Sequence, residues 1–250
     1  MFDAMYRPDY RPDKRLAAYD FFRPRWKRGL KIALFVVLGL LALPYVLTPL
    51  YALIDPPSTL MLWRTMTGQR VERQAVGLDR IAPALALSVI IAEDGRFCSH
   101  HGVDFQGLQE AMADADDPDS MRGGSTITQQ VAKNLFLWGG RSYVRKALEF
   151  PLALWIDLML SKRRVLDIYL NIAEWGPDGE FGVEAGARRA FGRSARDISP
   201  SQAAMLAAML PNPVTRDAKR PGPGLRRLAG LYTGRAARSP EVAACLRQNR

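Results

Sequence analysis

Four short clusters hold the residue types that do chemistry. The first is Glu93-Asp94, which follows directly on the apolar run Ile81–Ala92 and opens Gly95-Arg96-Phe97-Cys98-Ser99-His100-His101-Gly102. A carboxyl group at the mouth of an apolar helix is held protonated to higher pH, which suits a general base. The plain alternative is a solvated helix end, although an acid at a helix C-terminus is unfavourable for the dipole. The second is Arg122-Gly123-Gly124-Ser125-Thr126-Ile127-Thr128-Gln129-Gln130, then Lys133-Asn134. Glycines, hydroxyls and a helix N-terminus together form an anion site, or simply a capped helix with a polar surface. Gln129 and Lys133 share a helix face, as do Gln130 and Asn134. The third is Arg141 with Arg145, Lys146 and Glu149; the i,i+4 and i,i+3 spacings also fit an ordinary surface ion pair. The fourth, Ser161-Lys162-Arg163-Arg164 through Tyr169-Leu170-Asn171, is a basic turn entering a helix and by itself reads as structural.

The elements that must position these groups read as helices. Ile81–Ala92 is a buried helix and Phe105–Ala115 an amphipathic one, broken by the acidic run Asp114–Asp119. Ser125–Phe136 is helical with Ser125 or Thr126 as N-cap. Ser142–Ser161 is a long helical pattern interrupted by Pro151, and Lys162–Trp175 is another. Gly176–Gly182 is a loop and Val183–Phe191 a short helix. Ser199-Pro200-Ser201-Gln202 has the form of a capping box with proline at the first helical position. The tail from Pro221 is basic, with a short helix expected at Leu225–Thr233. No strand alternation and no internal repeat stand out, so the expected fold class is all-α.

Composition bounds the alternatives. The chain has 250 residues, 48% hydrophobic and 24% charged, enough to bury one core with an appendage. The two histidines, His100 and His101, and two cysteines, Cys98 and Cys245, argue against a multi-ligand zinc or iron–sulfur site. No P-loop motif occurs. The net charge of +10 points to an anionic partner. Residues 1–31 carry nine basic and four acidic side chains, half of that excess, directly before an uncharged run from Ile32 to Ile54. That run is long enough to cross a bilayer, with Pro44 and Pro49 expected to kink or shorten the helix. A buried core helix or a cleaved signal peptide fits less well. The positive-inside rule places residues 1–31 in the cytoplasm and everything after about residue 55 outside. Cys98 and Cys245 then lie in an oxidising compartment where they can pair; the sequence supplies no bridging geometry.

Taken in order, the clusters resemble the family 51 glycosyltransferases, the peptidoglycan glycan polymerases. Glu93–Gly102 is similar to the family's E-D-x-x-F-x-x-H-x-G, and Gly123–Gln130 reads G-G-S-T-I-T-Q-Q letter for letter. Arg145-Lys146-x-x-Glu149 matches R-K-x-x-E. Lys162–Asn171 resembles K-x-x-I-L-E-x-Y-L-N, with Val165 and Asp167 as substitutions. Phe181–Gly192 resembles a fifth signature in which Ala190 stands where tyrosine is usual, and Ser201–Pro213 ends in Leu-Pro-Asn-Pro as the family does. The resemblance covers about residues 55–215, and the chain leaves no room for a transpeptidase domain, which implies the monofunctional branch.

The resemblance implies a lysozyme-like helical lobe with a small membrane-facing jaw, laid out as a basic cytoplasmic tail (1–31), a transmembrane helix (32–54), a glycosyltransferase domain (55–220) and a basic extension (221–250). It implies lipid II and a growing glycan strand as substrates, with the catalytic domain on the periplasmic face of a bacterial inner membrane. Glu93 takes the general-base position and Glu149 the second acid. Lys133, Arg141 and Lys146 supply positive charge for a diphosphate leaving group, and Arg145 is a further substrate-binding residue. Arg122, Ser125, Thr126, Gln129, Gln130 and Asn134 line the substrate site, with Asp94, Phe97 and His100 supporting the first motif around it. No cofactor is obligatory, and Mg²⁺ or Mn²⁺ is admissible at Glu149. Other wall-synthesis proteins are further candidate partners; nucleic acid is not, since the basic block is juxtamembrane. Two rivals remain: a lysozyme-like hydrolase, which has no need of so many cations between two acids, and a non-catalytic scaffold.

Overall fold

The computed structural model describes residues 14–113, 124–140 and 142–247. The chain divides into two units, Met1–Pro44 and Tyr45–Arg250. Helix α1 spans Lys14–Leu50, and its stretch Trp26–Leu50 is long and apolar enough to cross a membrane. The large apolar side chains of that stretch in the first unit, Phe35 and Leu40 among them, are exposed. The helix runs on through Pro44 and Pro49 and stops at Leu50, short of Ile54. Residues 51–54 form turns, which Arg164 braces by donating to the carbonyls of Tyr51 (2.7 Å) and Ile54 (2.5 Å) and pairing with Asp55 (2.9 Å). The basic turn at Ser161–Arg164 therefore has a structural use.

The second unit is helical, with α2 (Thr59–Met66), α3 (Pro83–Glu93), α4 (Phe105–Ala113), α5 (Ile127–Phe136), α6 (Tyr143–Met159), α7 (Lys162–Ile172), α8 (Val183–Phe191), α9 (Pro200–Met209) and α10 (Pro223–Arg238). Short 3₁₀ segments occupy Leu78–Arg80 and Pro240–Arg247. Helices α3, α7 and α9 form the centre. Leu85, Val89 and Ile90 of α3, Val165, Leu166, Ile168, Leu170 and Ile172 of α7, and Ala203, Leu206 and Ala207 of α9 are all buried. The alanines of α9 let α3 and α10 pack closely on it, which is how so short a helix carries so much of the core.

Four features differ from the sequence expectation. Pro151 does not interrupt α6: the inner face of Glu149, Leu152, Ala153 and Ile156 is buried, and that packing outweighs the missing N–H bond, worth about 3 kcal/mol. Two residues of β1 (Glu72–Arg73) pair in parallel with two of β2 (Glu180–Phe181), inside what the sequence reads as a loop. Such a pair is too short for alternation to show. Helix α10 is longer than Leu225–Thr233. Helix α2 has no counterpart among the expected helices; its N-cap is Ser58, whose hydroxyl accepts from Met61 N at 3.1 Å.

Candidate active site

The site is built where α3 ends and α5 begins. Glu93 is the last residue of α3, and Asp94 is its C-cap. Asp94 is buried and accepts from His100 Nε2 at 2.9 and 3.0 Å and from the backbone N–H of Ile127 at 2.9 Å. One carboxylate thus ties the loop after Glu93 both to itself and to the first turn of α5. Thr126 makes the second tie. Its hydroxyl donates to Gly102 O at 2.6 Å and accepts from Gln129 N at 3.1 Å, while Gln129 Oε1 accepts from Thr126 N at 3.0 Å, closing a capping box. Gly102 has φ +77°, and a Cβ there would stand 2.5 Å from Ala153 O, so only glycine allows this approach to α6. Phe97 is fully buried beneath the loop with Lys162 Nζ 4.7 Å from its ring centre, and Lys162 pairs with Asp157 at 2.7 Å. Asp94, Phe97 and His100, which the resemblance places in support of the first motif, are buried and hold the loop, and Asp94 also borders the cavity beside Glu93.

This framework leaves Glu93 with one committed and one free oxygen. Gln130 Nε2 donates to Oε2 at 2.8 Å, and Gln130 is itself oriented by the Tyr169 hydroxyl, which donates to its Oε1 at 3.2 Å. Glu93 Oε1 is buried and has no hydrogen-bond partner among the described residues. Burial pushes the Glu93 carboxyl above the usual glutamate range, opposed by the Gln130 hydrogen bond and the Lys133 charge. A cavity of about 350 Å³ opens on one side of Glu93, lined also by Asp94, Arg96, Ser125 and Thr126.

The second acid lies across α5. A polar cavity of about 230 Å³ is lined by Ser125, Gln129, Gln130, Lys133, Arg145, Lys146 and Glu149. Glu149 is buried; Oε1 pairs with Arg145 and Oε2 lies 3.0 Å from Lys146 Nζ, which also donates to Ser125 Oγ at 2.7 Å. Burial and then the neighbouring Arg145 pull the Lys133 and Lys146 ammonium groups below the usual lysine range. Three cations crowded around one carboxylate form a site that lacks negative charge. Both Glu149 oxygens are taken by cations, and no three His, Cys, Asp or Glu cluster among the described residues, so the residues present do not fit a resident Mg²⁺ or Mn²⁺.

The structure thus brings Glu93, Ser125, Thr126, Gln129, Gln130, Lys133, Arg145, Lys146 and Glu149 around the start of α5. Asn134 faces elsewhere, onto an apolar cleft of about 700 Å³ lined by Leu60, Leu62, Trp63, Met66, Phe136 and Trp138, with Lys133 at the boundary of both. Arg122 and Arg141 lie outside the described residues. Sequence reasoning missed Tyr169 as the orienter of Gln130; its place on the apolar stripe of Val165, Leu166 and Ile172 was readable, its partner was not. It also missed Arg216, whose charge acts on Glu93 from beyond α9.

Residues 61–229 match the transglycosylase family. The chain is 60% identical over 227 residues, 91% of its length and 96% of the relative's, to a biosynthetic peptidoglycan transglycosylase of Rhodopseudomonas palustris. It is 58% identical over 224 residues, 90% of its length and 99% of the relative's, to one of Nitrobacter hamburgensis. One of Brucella suis is 49% identical over 224 residues, 89% of this chain and all of that one. With the matched residues spanning both acids and the cations between them, the chain belongs to the transglycosylase family.

Proposed function

We propose that this transglycosylase polymerises peptidoglycan glycan strands, transferring the growing strand from its undecaprenyl diphosphate to the 4-hydroxyl of lipid II. One observation carries the reading. A buried carboxylate with a free oxygen and a cavity rich in cations flank the same helix start, sharing Ser125 between them. That is a base on one side and a leaving-group site on the other. Glu93 Oε1 takes the proton of the acceptor hydroxyl as that oxygen attacks the anomeric carbon of the donor. The bond to the diphosphate breaks with inversion, and the negative charge that develops on the leaving oxygen is met by Lys133, Arg145 and Lys146. A diphosphate already leaves well, so the site needs cations more than a proton donor. Glu149 keeps those cations in place, and no step is routed through a metal.

The apolar cleft beside Lys133 supports a lipid-linked substrate, because hydrocarbon and diphosphate then meet adjoining surfaces. Helix α1 anchors the chain with its basic N-terminus in the cytoplasm and the second unit on the periplasmic face, where a long-chain lipid substrate is met within two dimensions. The test is labelled lipid II given to the full-length detergent-solubilised chain beside Glu93→Gln. The expected result is long lysozyme-sensitive polymer from the wild type and a rate lower by about 10²- to 10⁴-fold in the variant. Full activity in Glu93→Gln would overturn the assignment.

A further inference from the structure

The chain has two cysteines, and the structure joins them. Cys98 stands on the outer side of the loop from Glu93 to Gly102, whose inner side is held by Asp94, Phe97 and His100. Cys245 stands in the 3₁₀ segment Pro240–Arg247, beyond the residues that match the family. The bridge spans 147 positions, and Cys245 N also donates to Cys98 Sγ at 3.2 Å. Otherwise the segment is lightly held. Val242, Ala243 and Leu246 are only partly buried on the core, and Arg163 reaches Leu246 O at 3.3 Å. A cavity of about 310 Å³, lined by Ile81, Ala86 and Leu87 with Ala243 and Leu246, remains between the segment and α3. The segment is two short 3₁₀ pieces that meet at a kink at Ala243, and such pieces are not stable by themselves. Without the bridge this segment has no cross-link to the Glu93 loop, and the outer side of that loop keeps the partly exposed ion pairs of Arg96 with Asp104 (2.8 Å) and Glu110 (3.0 Å), which water screens.

We propose that the Cys98–Cys245 bridge is a positioning strap for Glu93, closed by a thiol-oxidising partner, so that full polymerase activity follows oxidation. The inference rests on the reading of Glu93 as general base and of the second unit as exported. The step balances: the two cysteine thiols give two electrons and two protons to the disulfide of an oxidoreductase, which departs as a dithiol. Cys98 and Cys245 touch no reacting atom in this scheme and act through the placement of Glu93.

The experiment compares the full-length protein, oxidised and reduced, on labelled lipid II, with thiols counted by alkylation and folding followed by thermal melting. Reduction is expected to lower kcat about ten- to a hundredfold, as small displacements of a catalytic group do, with KM changed less than about twofold. The acid limb of the pH–rate profile should move toward lower pH as Glu93 becomes hydrated. Cys98→Ala with Cys245→Ala should reproduce both effects; where that pair fails to fold, the single Cys98→Ala, which keeps the segment's apolar contacts, decides. Unchanged kcat and pH profile in reduced, folded protein would overturn the proposal, as would two free thiols in protein taken from exporting cells. If oxidised wild type makes no polymer, the polymerase reading fails instead. Amide exchange at residues 93–102 then tests the strap: faster exchange on reduction supports it and unchanged exchange rejects it.

Discussion

Replacing Glu149 by glutamine separates what holds the cation site together from what the site does. The Glu149 side chain is 3% exposed and that of Arg145 is 12% exposed, so the pair is essentially out of water. Lys146, 42% exposed, is screened and contributes less. Glutamine keeps the shape and one acceptor but removes the charge, leaving a buried guanidinium without its counter-ion. Breaking such a pair from one side costs about 3–5 kcal/mol, and the retained acceptor puts this case near 3. For a domain of this size that lowers the melting temperature by about 6–12 °C. Thermal melting and urea unfolding of the full-length protein measure it, with polymer formation assayed well below the transition. Glu149→Gln combined with Arg145→Met should recover more than half of the lost stability, because the orphaned charge is gone. It should recover no activity, because a cation facing the leaving group is gone too. A single variant melting within about 2 °C of the wild type would refute this account of the site.

Other outcomes follow from the same geometry. Glu93 has its folded-state pKa raised by burial, so its ionised form opposes folding, and this destabilisation grows as pH rises from the ordinary glutamate value through the folded one. Glu93→Gln should therefore melt higher than the wild type at neutral pH, and the gap should close on acidification; an equal gap at all pH values would contradict it. Thr126→Val removes both the helix cap and the bond to Gly102 O, at about 1–2 kcal/mol by urea unfolding, whereas Thr126→Ser should cost under half of that. Gly102→Ala places a Cβ against Ala153 O and should lower soluble yield and melting temperature more than Gly192→Ala, whose left-handed backbone faces open space; similar losses at both positions would show that φ alone decides.

The helices that carry the site were legible because their signals are local. The Ser199 and Thr126 capping boxes, the apolar run before Glu93 and the Gly-Gly turn before α5 are each written within a few residues. The clusters themselves were legible as types and spacing, including the pairs from Glu149 to Arg145 and Lys146. What was not legible depends on distance along the chain. Nothing local shows that Asp94 caps toward Ile127, that Tyr169 orients Gln130, or that Cys98 meets Cys245. Pro151 misleads for a related reason, since its local effect is overridden by burial of the opposite face of α6. Asn134 misleads because i,i+4 spacing from Gln130 fixes a face only to within a helical turn, and here the wall between two cavities runs through that interval.

Lys133 lines that wall from both sides, and this has a consequence for molecules that would block the enzyme. A soluble diphosphate offers the cations a charge but leaves the cleft beside them wet. A hydrocarbon alone fills the cleft but leaves the ammonium group desolvated and unanswered. In a homologous series of alkyl diphosphates, potency should therefore climb with each methylene, by up to about 0.8 kcal/mol, until the cleft is full, and then level off. The carbon number at that plateau would measure the length of the cleft, and shortening the side chain at Trp63 or Met66 would shift it.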